Sequence, residues 1–386
     1  MKKFWIIMAF AMVITCFVSS QAVAAEKELK VGVVFAATGF AAEWGVPSIR
    51  TIDVGFEKIN NEGGIKVGGD VYKVKISVKD CQEDTQKTSA AVNQLVFDEG
   101  VKYIMGPLFC GPVNAEQSIC NPNKIWHMFT CFDPKALGAD KTYSFRGVAS
   151  GVEISRALFD FIKKYHPQVK TIGIATNADE RLSGTATKEQ AEKAGFKVTS
   201  LEFVKLGTAD MFPMLTKVVK ANPEVLIPIG IPPGEVTTMM QQQYQLGYKG
   251  MVISTSYYDP QVMAKKTGEE ALEGFTFKGD DWEGNPLLKY WKKRALEKWN
   301  EFDPIISAVS FWPDMLKQAM EKAQSVDPTK VMEVMPHMSG TSILGKYSWG
   351  GEKTYGIKRQ IEQEVGFVKY SKGKTIYVGS SMPMVP

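Results

Sequence analysis

The chain of 386 residues sets 46 lysines and arginines against 42 aspartates and glutamates, a formal net charge of +4, with 44% hydrophobic and 23% charged residues. These are the proportions of a globular chain, and a charge so small and evenly mixed excludes a nucleic-acid-binding surface. Beyond the N-terminus no run approaches about 18 consecutive apolar residues, so no membrane span is expected there.

The first element is a leader. Met1-Lys2-Lys3 supplies two positive charges, an apolar run extends from Phe4 to Val18, and Ala22-Val23-Ala24 ends it with the small-x-small pattern of a cleavage site. This is the build of a secretory signal cut after Ala24. The alternative, an anchor helix, needs roughly 20 apolar residues, more than this run offers. Cys16 follows Val13-Ile14-Thr15, which lacks the small residues of a lipoprotein site. Cleavage leaves 362 residues with a charge of +2, enough chain for about two domains.

The exported part holds Cys81, Cys110, Cys120 and Cys131, with no Cys-x-x-Cys pair among them. Neither a zinc ribbon nor a redox centre is indicated. In an oxidising compartment these four predict one or two disulfides, with three pairings open and buried free thiols as the alternative for Cys120 and Cys131.

From residue 29 short apolar strands alternate with amphipathic helices. Residues 29–35 read as a buried strand; Ile49, Ile52, Phe56 and Ile59 then recur at helical spacing, closed by Gly63-Gly64. Residues 71–79 alternate as a half-buried strand, 85–98 are helical, and 102–106 and 125–129 are strands. The rhythm restarts after Gly147, with helices over 152–165, 185–194, 212–221 and 235–246 between strands over 170–176, 196–204, 225–229 and 251–255. Beyond Gly274 come helices over 286–300 and 304–324, then a strand-rich tail. Strands separated by helices require crossover connections, so the fold class is α/β with parallel sheets covered on both faces.

Catalytic signatures fail. His127, His166 and His337 stand apart, and neither His-Glu-x-x-His nor Gly-x-Ser-x-Gly occurs. His127 lies within a predicted strand and reads as a hydrogen-bonded core histidine. The run from Gly340 to Lys346 resembles a phosphate-binding loop, but Tyr347 stands where a metal-ligating hydroxyl belongs. The acidic pairs Asp179-Glu180 and Asp280-Asp281 read as solvated loop charge rather than paired catalytic carboxylates. A secreted enzyme would need a nucleophile and a base that the sequence does not offer. No enzyme activity, metal or cofactor is expected.

An ordered set of segments carries a family likeness: Ala36-Ala37-Thr38-Gly39, Glu43-Trp44-Gly45, the run Ile59 to Ile65 with Asn60-Asn61-Glu62-Gly63-Gly64 inside it, Lys79-Asp80-Cys81, Gln94-Leu95-Val96 and Val101 to Pro107. Gly268 to Gly274 and Ala319 to Ala323 continue it. The chain resembles the leucine/isoleucine/valine-binding branch of the type I periplasmic binding proteins. The resemblance implies two doubly wound lobes joined by three crossovers, lobe one from 25–146 plus about 277–345 and lobe two from 147–276 plus about 346–386. It implies an exported monomer that shuts on a small-molecule solute and delivers it to the permease of an inner-membrane ABC transporter. The alternative is the same fold feeding a separate membrane receptor.

In open α/β sheets the loops at the carboxyl ends of the strands form the pocket. The candidate ligand residues on those loops are Trp44, then Leu108, Phe109 and Cys110, then Cys131, Phe132 and Asp133, then Arg181 in lobe two, Ser256 and Tyr257, and Phe311 at a helix start. Backbone N–H groups near Cys110 and Gly111 are a possible anion holder at a helix N-terminus. Asp133 either accepts an ammonium group or caps its turn. Arg181 is either a carboxylate fork or a solvated arginine, and Phe311 competes with a core role. The family resemblance also implies a Cys81–Cys110 disulfide. Where relatives carry hydroxyl side chains this sequence carries apolar and aromatic ones, so the expected ligand is an amino acid or an aromatic or apolar carboxylate.

Overall fold

The computed structural model describes residues 26–280, 284–303, 309–342 and 345–382. The leader with its cut at Ala24, Asp281 and the first part of the helix expected over 304–324 lie outside them.

The first lobe is built on β1 (Glu26–Phe35), β2 (Ile65–Val67), β3 (Asp70–Asp80), β4 (Tyr103–Met105), β5 (Trp126–Phe129) and β6 (Ser144–Arg146). The apolar run of β1 makes it a central strand, with Val31, Val33 and Phe35 fully buried. It pairs in parallel with β3 on one side and β4 on the other, and β5 and β6 continue in parallel. The helices α1 (Ala42–Asn61), α2 (Thr85–Asn93) and α3 (Cys110–Cys120) are the crossovers. Gly45 in the first turn of α1 lies against the end of β1: a Cβ there would stand 1.9 Å from the Ala36 carbonyl oxygen. Only glycine allows that approach, which brings Trp44 to the carboxyl edge of the sheet.

The second lobe repeats the plan with β7 (Thr171–Asn177), β8 (Lys197–Val204), β9 (Val225–Ile229) and β10 (Met251–Val252), parallel in the order β10-β9-β7-β8. A single parallel bridge between Ile253 and Thr276 leads on to β11 (Thr276–Lys278). Helix α4 (Gly151–Tyr165) enters this lobe through a capping box, the Ser150 side chain receiving the Val152 N–H and Glu153 receiving the Ser150 N–H. Helix α5 (Arg181–Lys193) follows β7.

The tail returns to both lobes. Helices Pro286–Trp299 and Trp312–Ala323 place Trp291, Trp312, Met315 and Leu316 in the first lobe's core, with Val33, Ile52 and Phe56. Strands β12 (Gly340–Ser342), β13 (Gly345–Gly350) and β14 (Gln360–Gln363) extend the first sheet, with Gln360 opposite Arg146. Then β15 (Val365–Ser371) and β16 (Lys374–Ser381) join β11 in the second lobe. The third crossing therefore falls at Glu364, not near 346, the boundary drawn from the family resemblance. Alternating apolar residues mark a strand but do not say which sheet edge it will join. The type I fold expected from the family likeness, two parallel-sheet lobes with three crossings, is the one observed. Among the described residues no helix is long and apolar enough to cross a membrane.

Candidate functional site

The carboxyl ends of the strands of both lobes face one another across a cavity of about 610 Å³, counting the solvent at its mouth. Lobe one lines it with Trp44, Ser48, Leu108, Phe109, Thr130 and Phe132. Lobe two supplies Glu180, Thr255, Ser256, Tyr257 and Lys278, and Val148 and Val309 stand beside the crossings.

The lobes meet at the rim. The Trp44 Nε1–H donates to the Tyr257 carbonyl oxygen at 3.2 Å, and the Trp44 ring lies 5.9 Å from that of Phe109 and 6.5 Å from that of Tyr258. Lys266 Nζ reaches Glu43 Oε1 at 3.7 Å on the outside. Ala36, Ala41, Trp44 and Phe109 of lobe one thereby join the apolar cluster of lobe two.

The loop after β4 carries its own anion. Glu83 accepts the N–H of Leu108 at 3.1 Å and that of Phe109 at 2.9 Å. Its side chain is buried, and that burial pushes its carboxyl up to about 7 despite the two N–H donors. The N–H groups leading into α3, next to the expected anion holder at Cys110 and Gly111, are thus engaged by a carboxylate of the protein itself.

Lobe two carries the charges of the cavity wall. Glu180, 1% exposed, is pushed up to about 8, chiefly by burial and then by Asp133, Asp179 and Glu83, with Arg146 opposing. Its Oε2 has no hydrogen-bond partner and lies so near Gly230 that a Cβ there would stand 2.6 Å away. Gly230, at φ +60°, makes the room. Thr176 Oγ1, Asn177 Nδ2 and Ser183 Oγ, on β7 and α5, are also buried without partners, as is Thr255 Oγ1 in the wall. Lys278, half-buried at the end of β11, holds its ammonium 4.7 Å from the centre of the Tyr257 ring. Burial pushes it down to about 8, against the pull of Asp280.

Of the residues singled out from sequence, Trp44, Leu108, Phe109, Phe132, Ser256 and Tyr257 line the cavity. Cys110 and Cys131 do not; they are bonded to each other, Cα atoms 5.2 Å apart. The expected Cys81–Cys110 bridge is therefore corrected. The neighbouring strands β4 and β5 run in register, Met105 opposite Met128, so the loops after them emerge side by side. Cys81 follows β3, two strands away across β1, and is a buried free thiol, as is Cys120. Asp133 caps its turn, accepting the Lys135 N–H at 2.8 Å. Arg181 is exposed, its guanidinium 4.1 Å from the centre of the Phe203 ring. Phe311 is buried in the first lobe's core.

Sequence reasoning missed Lys278 and misread Glu180, which is buried and not solvated. Glu180 did carry a signal: it follows directly the carboxyl end of a predicted lobe-two strand, where cleft loops arise.

Residues 28–374 match the model of a family described as periplasmic binding protein. The Leu/Ile/Val-binding protein homolog 3 of Brucella melitensis biotype 1 is 27% identical over 239 residues, 60% of this chain and 61% of that protein. The match thus spans less than two thirds of that curated relative. Among solved structures, the leucine binding protein LivK of Thermotoga maritima MSB8 superposes with a TM-score of 0.78 at 18% identity, over 92% of this chain and 99% of that one. A solute binding protein of an ABC transporter from R. palustris, in complex with benzoate, superposes with a TM-score of 0.77 at 15% identity, over 93% and 98%.

Proposed function

The chain belongs to the periplasmic binding protein family, and on that premise we propose that it captures a small carboxylate-bearing solute between its lobes for an ABC transporter of the branched-chain amino acid type. The solute is an amino acid or an aromatic or apolar carboxylate. The protein is exported, its leader cut near Ala24, acts as a monomer, and hands the solute unchanged to an inner-membrane permease.

One observation carries the reading: an interlobe cavity with aromatic walls whose one lining cation among the described residues is Lys278. Trp44, Phe109, Phe132 and Tyr257 offer apolar faces to the body of a solute. Glu83 already engages the Leu108 and Phe109 N–H groups, and Lys278 is the charged partner in the wall for the solute's carboxylate, with Glu180 and Thr255 left for its other polar atoms. A solute touching both lobes favours the shut arrangement, a hinge motion about the three crossings. The names of the relatives support both branches of the ligand class, leucine on one side and benzoate on the other.

The test is a thermal-shift panel of leucine, isoleucine, phenylalanine, benzoate, 3-phenylpropionate and hexanoate. A true ligand at about a hundredfold excess over its Kd adds about 2.7 kcal/mol to stability. A panel in which no carboxylate raises the melting temperature overturns the reading. Mass spectrometry of the periplasmic fraction checks export, the expected N-terminus being Ala25.

A further inference from the structure

Away from the cleft, three side chains that bind metals converge inside lobe one. Glu116 and Cys120 lie four residues apart on α3, so both point the same way from that helix. His127 faces them from β5. All three are fully buried, and one ligand atom from each lies within 4.8 Å of the others.

The contacts are not those of a finished hydrogen-bond network. His127 Nδ1 stands 3.2 Å from Glu116 Oε2, close enough for a bond, yet Nδ1 and both carboxylate oxygens lack a hydrogen-bond partner. The two groups stand at ion-pair distance. That distance is close to the edge of a coordination tetrahedron, which is about 3.4 Å for ligands about 2.1 Å from the ion. The other ring nitrogen, Nε2, is tied to Ser144 Oγ at 2.6 Å. A partner on the far nitrogen orients an imidazole for a metal on the near one. A buried carboxylate with no donors is costly unless a cation or a proton sits against it.

We propose that Glu116, Cys120 and His127 form a structural zinc site inside lobe one. A thiolate, an imidazole and a carboxylate are each zinc ligands. With both Glu116 oxygens unpartnered, the carboxylate can take two of four positions. The charges close: one thiolate and one carboxylate neutralise a divalent ion, which suits an interior of low dielectric. On binding, the Cys120 thiol gives its proton to solvent and Glu116 binds as the carboxylate.

The exported chain, stripped with a chelator and refolded with its disulfide intact in the presence or absence of zinc, gives the test. The expected result is one zinc per chain by elemental analysis, a higher melting temperature with zinc, and a thiolate-to-metal charge-transfer band with cobalt. Cys120→Ser should weaken zinc binding at least tenfold and abolish that band, while Cys81→Ser, which removes the other free thiol, should change neither. Should Cys120→Ser not fold, the cobalt band of the natural chain decides alone. Substoichiometric zinc after refolding, zinc retained in full by Cys120→Ser, or cobalt binding without a thiolate band each overturn the proposal and leave a shared proton between Glu116 and His127.

Discussion

The two faces of the cleft are made differently. Lobe one presents rings and apolar surface, Trp44, Leu108, Phe109 and Phe132, and the polar backbone behind them is already satisfied by Glu83. Lobe two presents Lys278, Glu180 and Thr255, the last two with buried oxygens that no protein group satisfies. The same fold, used twice, has yielded a wall that fixes shape and a wall that reads charge. Substitutions behind the first should register in stability, and substitutions on the second in binding and pH dependence.

The largest expected effect is on the shape-giving side. Cys131→Ser opens a loop of sequence separation 21 and should cost about 3 kcal/mol in denaturant unfolding. Mapping of the unreduced protein should recover Cys110 and Cys131 in one linked peptide pair. A linked Cys81 would overturn that pairing. On the charge-reading side, Lys278→Met should weaken binding of any carboxylate found by the thermal-shift panel by about tenfold to a hundredfold, as expected for loss of a charge-assisted contact, with the unfolding midpoint held or raised. In the natural protein the same affinity should decline above pH 8, where the half-buried Lys278 of the unliganded chain loses its proton.

Glu180→Gln gives a smaller effect with a definite sign. The folded chain keeps the Glu180 proton up to about pH 8, whereas the unfolded chain releases it near 4.5. Stability therefore falls as the pH rises across that window, by about 1.4 kcal/mol per pH unit, and levels off above it. Glu83 acts in the same direction only up to about 7. Glu180→Gln should thus flatten melting temperature against pH between about 7 and 8, where the natural protein still declines. The smallest effect belongs to the rim: Lys266→Ala breaks an exposed ion pair with Glu43 and should change stability by less than about 1 kcal/mol and ligand preference not at all.

Much of this architecture was legible in the sequence, because burial on both faces of a parallel strand leaves an apolar run that little else imitates. Trp44, Phe109, Phe132 and Tyr257 were legible for a related reason: each follows the carboxyl end of a strand, and chain order alone places those ends in the cleft. What stayed hidden depended on phase and closure. Phe311 precedes a helix whose apolar face turns to the core, and Arg181 begins one whose first two residues are exposed before Ser183 and Gly184 turn inward. Glu180 reads as surface charge until two lobes cover it. Lys278 ends the three-residue strand β11, too short for its alternation to mark a side. The disulfide required knowing that β4 and β5, and not β3, are neighbours.

The hydrogen bond from Trp44 to the Tyr257 carbonyl joins a side chain of one lobe to the backbone of the other, with no solute atom in between. A bond of that kind contributes about 1 kcal/mol net, roughly a fivefold bias between parted and joined lobes. The bias applies to every cargo alike. It adds to the affinity for each solute by the same factor and to the preference between two solutes by nothing, so the latch sets the strength of capture while the opposite wall does the choosing.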